Sequence, residues 1–196
     1  MEQEKGQIIC DSRGKLIGRK DEYLIYVAYG PLTSVELTQE FSRGKVSYMF
    51  DGRPFQMHGS CMGVNQAPCH RVFWVAKPPS IVLRDNRKIV SEKIIAWGDK
   101  QRPVFAPNGY RPANHLELFA FAKARIKITS LTVALGSFVS DGENLCVIVL
   151  GTESMCLRGS NTDSDERFFG CSLLENLWCS DHRFLFVRKD AEEMEN

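Results

Sequence analysis

Apolar positions along this chain fall into short blocks, and the densest pair lies at 131–139 and 144–150. Leu131-Thr-Val-Ala-Leu-Gly-Ser-Phe-Val139 and Asn144-Leu-Cys-Val-Ile-Val-Leu150 flank Ser140-Asp-Gly-Glu143. Asp141-Gly142 tolerates the positive φ of a tight connection, so the blocks predict a β-hairpin. Both arms are apolar at nearly every position, not every second one. That pattern predicts strands covered on both faces, in the middle of a sheet.

Other blocks have strand length. Tyr23-Leu-Ile-Tyr-Val-Ala-Tyr29 is rich in aromatic and β-branched residues and ends at Gly30-Pro31. His70 to Ala76 stops at Lys77-Pro78-Pro79, and Phe184 to Val187 is the last strand. Shorter hairpins are expected around Asp11 to Gly14, Asp51 to Pro54 and Arg84 to Lys88, with a further short strand at Ser154 to Leu157. Phe168 to Trp178 reads either way, because Leu173, Leu174 and Leu177 suit a helix while Gly170 weakens it. Ile94-Ile-Ala-Trp97 is a short apolar run closed by Gly98-Asp99.

Two stretches carry helical spacing. Thr33 to Phe41 has a capping box in Thr33 and Glu36. The stronger one starts at Asn114, has Glu117 three residues on, and shows a wide apolar face through Phe119 and Phe121. After it, Ala124-Arg-Ile-Lys-Ile128 alternates apolar and basic, which predicts a strand with Lys123, Arg125 and Lys127 on one side. Hairpins outnumber helical crossovers. The expected class is α+β: a largely antiparallel β-sheet with one main helix, about 114–123, packed on one face. One domain over 1–196 is expected, with an internal boundary candidate at Lys77-Pro79 and a frayed acidic tail at 190–196.

Composition narrows the function classes. The chain has 196 residues, 43% of them hydrophobic and 25% charged, which suits a packed globular domain. Its net charge is +1, so affinity for nucleic acid has to come from a local patch. The polar start Met1-Glu-Gln-Glu-Lys-Gly is unlike a secretory signal, and the seven cysteines are an odd number at irregular spacing. Both features lead to the expectation of an intracellular protein, cytoplasmic or nuclear, with reduced thiols. No apolar run reaches the roughly 18 residues of a membrane span, so no membrane partner is expected.

Four groups of residues could carry chemistry. Lys123, Arg125 and Lys127, with Arg84, Arg87 and Lys88 and the aromatic Trp97, form a basic segment fit to track phosphates. The bland alternative is a solvated strand face blunted by charge. Phe105 and Tyr110 sit on the proline-rich stretch 101–113, where stiff aromatics suit a partner contact. His58 and Cys61 with Cys179 and His182 offer a split zinc ligand set, although the spacing matches no established zinc pattern. Cys69 with His70, or Cys179 with His182, could pair thiol and imidazole for nucleophilic catalysis, but no motif surrounds either pair. A buried cysteine beside a structural histidine explains both as well.

Phosphate-loop, dinucleotide-binding, serine-elbow and zinc-protease motifs are all absent from the sequence. The leading expectation is therefore a non-enzymatic binding protein of a larger assembly. It would contact nucleic acid, RNA included, or a protein partner through a basic strand face and an aromatic loop. A thiol-dependent enzyme and a zinc-stabilised interaction module are the alternatives.

Overall fold

A computed structural model describes residues 21–27, 56–58, 69–78, 91–101, 109–124, 126–140, 145–152, 167–174, 178 and 181–189. Among them are eight strands and two helices. In chain order these are β1 (Glu22–Val27), β2 (Gln56–His58), β3 (Cys69–Ala76), α1 (Ser91–Lys100), β4 (Tyr110–Pro112), α2 (His115–Lys123), β5 (Thr132–Ser140), β6 (Leu145–Thr152), β7 (Arg167–Leu173) and β8 (Arg183–Arg188).

All eight strands belong to one mixed, mostly antiparallel sheet with the path β1-β3-β8-β5-β6-β7. The hairpin arms β5 and β6 pair antiparallel, Val133 opposite Val149, and both lie inside the path. Their near-continuous apolar runs are buried on both faces, from Val133 to Leu135 and from Cys146 to Leu150. Among the described strands, the one parallel pairing joins β5 to β8 through Thr132 with Arg183 and Val133 with Phe184. β4 pairs with the other half of β8, and β2 with the far end of β5.

Period-two alternation divides the buried side chains into two clusters. Phe73, Ala134, Ile148, Leu185 and Val187 share one with Leu118 and Phe121 of α2. Trp74, Val133, Val149, Phe184 and Phe186 share the other with Ile94 of α1 and with Tyr110.

α2 begins where the sequence predicts. The Asn114 side chain accepts from the Glu117 N–H (2.9 Å), and the Glu117 carboxylate accepts from the Asn114 N–H (2.9 Å). Both partners of a capping box are therefore in place.

α1 is a structural addition to the sequence reading. The apolar run at 94–97 lies inside a ten-residue helix whose buried side is Ser91, Ile94 and Gly98. Ser91 anchors its first turn, donating to the Leu174 carbonyl (2.8 Å) and accepting from Trp178 Nε1 (3.2 Å). The ambiguous stretch after 167 resolves as strand β7 up to Leu173, laddered onto β6.

One expected strand is absent. Residues 126–129 have no regular structure, and Lys123 ends α2, with the Ala124 N–H closing on the Ala120 carbonyl (3.1 Å). The alternation is real, because Ile126 is buried in the α2 cluster while Lys127 is exposed. A ladder partner is lacking for a simple reason. Thr132, where the segment enters the sheet, already pairs with Leu150 on one side and Arg183 on the other. The segments proposed around Asp11 to Gly14, Thr33 to Phe41, Asp51 to Pro54, Arg84 to Lys88, Ser154 to Leu157 and 190–196 lie outside the described residues.

Candidate functional site

Four strands that are neighbours in the sheet, β1, β3, β8 and β5, meet at one end and supply the floor of a cleft. Tyr23, Val75, Arg183 and Thr132 come from them in that spatial order. Register explains the alignment: Val75 N–H donates to the Asp21 carbonyl (2.9 Å), Val75 faces Leu185, and Thr132 faces Arg183. The link from α2 to β5 forms the opposite wall, bringing Ile126, Lys127 and Ser130 to the cleft with Phe121 beneath them. The volume is about 190 Å³.

The polar groups are two cations, one carboxylate and several hydroxyls. Arg183 Nη1 donates to the carbonyls of Asp181 (3.2 Å) and His182 (3.3 Å), and no carboxylate pairs with the guanidinium among the described residues. Lys127 is exposed. Thr132 Oγ1 donates to the Ser130 carbonyl (3.2 Å), which bends the link back into β5. Burial, and then the charge of Asp21, raise the Tyr23 pKa above its usual value, so this phenol stays a neutral hydroxyl donor. Cations and neutral donors facing one concavity, with the single carboxylate of Asp21 at its edge, can bind an anion.

Among the described residues, Lys127 is the one predicted site residue in the cleft. Lys123 is exposed at the end of α2, and Arg125, Arg84, Arg87, Lys88 and Phe105 lie outside the described residues. Among the described residues 126–129 form no strand, so Lys127 stands on a coil link.

The two aromatics placed on a partner surface sit elsewhere. Tyr110 is fully buried in β4 and donates its hydroxyl to Glu22, so the expectation of a loop anchor is corrected. The physical reason is that a buried carboxylate needs donors, and Tyr110 with Arg188 supplies them. Trp97 is half-buried on α1, its ring 5.3 Å from Trp74 and 6.2 Å from Phe186.

The thiol and metal candidates do not come together where they are described. Cys69 and His70 are neighbours on β3 and project to opposite faces, with the His70 ring lying against Tyr26 at 5.2 Å. His58 pairs through its backbone with Phe138, whereas His182 precedes the residue that faces Thr132. Six positions of β5, roughly 20 Å at strand rise, separate these two backbones. The His182 ring meets Trp178 edge-on at 5.5 Å. Cys61 and Cys179 lie outside the described residues, and among those described no three His, Cys, Asp or Glu side chains cluster as metal ligands.

Sequence reasoning missed Arg183, Tyr23 and the hydroxyls of Ser130 and Thr132. An arginine opening a strand carries no local signal that it will face a lysine 56 positions earlier. A buried histidine–serine pair joins the start of α2 to β5. His115 N–H donates to Ser137 Oγ (2.9 Å), and its Nδ1 lies 3.2 Å from the same hydroxyl. Both groups are buried, so this histidine–serine pair is closed to any substrate.

No helix among the described residues is long and apolar enough to cross a membrane. Comparison of the chain with protein-family models, with curated proteins and with solved structures finds no match.

Proposed function

We propose that the protein is a non-enzymatic binding module, working within a larger assembly, that holds a backbone phosphate of single-stranded nucleic acid in the cleft. In this reading the sheet carries α2 on one face and α1 on the other, and the cleft opens where the α2 link crosses the strand ends. One observation carries the reading: Lys127 and Arg183, neither in an ion pair among the described residues, line one concavity with neutral hydroxyl donors and outnumber its single carboxylate, Asp21.

Size selects the ligand within that class. Sites for whole cofactors and drug-sized molecules span roughly 300–1,000 Å³. At about 190 Å³ this cleft is smaller, which suits one phosphate with part of its sugar. Charge sets the strength. Two cations contribute a salt slope of about −1.4 on a single strand, so binding is modest and independent of sequence, as expected of one contact among several in an assembly.

Fluorescence anisotropy with a labelled single-stranded RNA, between low and physiological salt, tests this. Replacing Lys127 and Arg183 together by Gln should weaken binding and flatten the slope of log K against log salt by about 1.4. An unchanged slope in the double variant would remove the cleft from the interface.

A further inference from the structure

We propose that Ser130 is a phosphorylation site, and that its phosphoryl group seats on Lys127 and Arg183 and fills the cleft from within. The inhibitory consequence rests on the phosphate-binding reading above; the modification and its seat do not.

Accessibility is the first support. Ser130 lies in the link between α2 and β5, at a bend that follows four residues without regular structure. Among the described residues Ser130 itself pairs with no strand, so a kinase can draw this segment outward at the cost of the Arg183 N–H to Leu131 carbonyl bond (2.9 Å) beside it. The Ser130 carbonyl is engaged by Thr132, but no hydrogen bond is made by the Ser130 hydroxyl among the described residues.

Charge pattern is the second. Lys127 and Arg125 stand three and five positions before Ser130, and Leu131 follows it. Upstream cations and a following apolar residue suit a serine/threonine kinase whose substrate groove is acidic, since such enzymes select substrates by charge pattern.

The seat is the third, and only the tertiary structure supplies it. Ser130, Lys127 and Arg183 line the same cleft, where Asp21 is the one opposing carboxylate against two cations. Three phosphoryl oxygens at roughly 30 Å³ each, the share of a water molecule, need about half of the space available. The transfer balances with ATP as donor. Ser130 Oγ bonds to the γ-phosphorus, the bond from that phosphorus to the β–γ bridging oxygen breaks, ADP departs with the oxygen, and the hydroxyl proton passes to the kinase's base. The product adds a charge of about −1.5 to −2 opposite an arginine, a placement that makes new charge-assisted hydrogen bonds. Lys127 and Arg183 are then neutralised from inside, and an external phosphate has no seat.

The test uses the full chain, a basic-directed serine/threonine kinase and ATP, with site mapping by mass spectrometry and phosphorus NMR titration. Phosphate should appear on Ser130 of the wild type and be missing at that position in Ser130→Ala. The second ionisation of the phosphoserine should fall below the usual value of about 6. It should return toward that value in Arg183→Gln, which leaves the residues before Ser130 intact. RNA binding by the phosphorylated protein should drop at least tenfold. Absence of phosphate at Ser130, or identical titration in wild type and Arg183→Gln, would overturn the proposal. Unmodified protein that ignores RNA while the Arg183-dependent titration persists would sink the binding reading and leave the seat standing.

Discussion

Glu22, the first residue of β1, takes both arms of the Arg188 guanidinium across 166 residues of chain, at 3.0 Å from Nε and 2.8 Å from Nη2. Tyr110 donates its hydroxyl to the same carboxylate. Burial, then the hydrogen bond and charge of Glu22, push the Tyr110 pKa far above the ordinary phenol value, so it is a fixed donor. Three strands, β1, β4 and β8, are thereby tied through a carboxylate that is only 2% exposed. Removing one partner of such a group leaves a buried charge or donor unsatisfied. Glu22→Gln is expected to cost about 3 kcal/mol, and Tyr110→Phe about 2 kcal/mol, read by urea denaturation. A loss below about 1 kcal/mol in both would mean that water replaces the network.

His115 gives the protein an acid-sensitive point. Burial lowers its pKa from 6.5 to about 4. As pH falls, the unfolded chain therefore takes up the proton first. The stabilising contribution is complete above pH 6.5 and is lost progressively toward pH 4. The loss is on the order of 3 kcal/mol. Measured from pH 7 to 4, stability should fall more steeply in the wild type than in His115→Asn, whose amide oxygen can still accept from Ser137. Equal slopes would show that the imidazole protonates in the folded state at little cost.

Two glycines mark close approaches between elements. A Cβ on Gly136 would lie 2.6 Å from the Pro112 carbonyl oxygen and 2.7 Å from that of Ala113. Both are backbone atoms, and the Gly136 N–H bonds to the Ala113 carbonyl (2.9 Å), so neither side can yield. Gly136→Ala should cost about 3 kcal/mol or prevent folding. The three atoms nearest a Cβ on Gly98 all belong to the ring of Phe186, a side chain. Gly98→Ala should therefore cost less, about 1–2 kcal/mol after its gain in helix propensity. Phe186→Leu should make room for it, and a double-mutant cycle by chemical denaturation would show favourable coupling.

The start of α2 rests on Glu117. Its carboxylate accepts from Arg111 Nη1 and Nη2, both at 2.8 Å, as well as from the Asn114 N–H. Asn114→Ala removes one cap acceptor and should cost about 1 kcal/mol. Glu117→Ala also strands a partly covered arginine, and a loss of about 2–3 kcal/mol is expected. Thermal melts that rank the two variants in the opposite order would place the stability in the cap alone.

The sequence by itself determined the elements whose signals are local. Doubly apolar runs marked β5 and β6 as interior strands, and Asn114 with Glu117 marked the beginning of α2. Pairing and placement were decided elsewhere. α1 is hidden in sequence because its buried side is only Ser91, Ile94 and Gly98, and its glycine reads as a stop until Phe186 is seen against it. The alternation at 124–128 mimics a strand because a coil skirting a core edge also buries every second side chain. At Thr132, where the segment joins β5, Leu150 and Arg183 already take the two ladder sides.

Tyr110 looked like a surface anchor because a phenol on a proline-rich stretch has no local partner; that partner, Glu22, is 88 residues away. The cleft follows the same logic. Lys127 is legible as a cation, but its meeting with Arg183 depends on β8 lying parallel beside β5, a long-range pairing that no short window of sequence encodes.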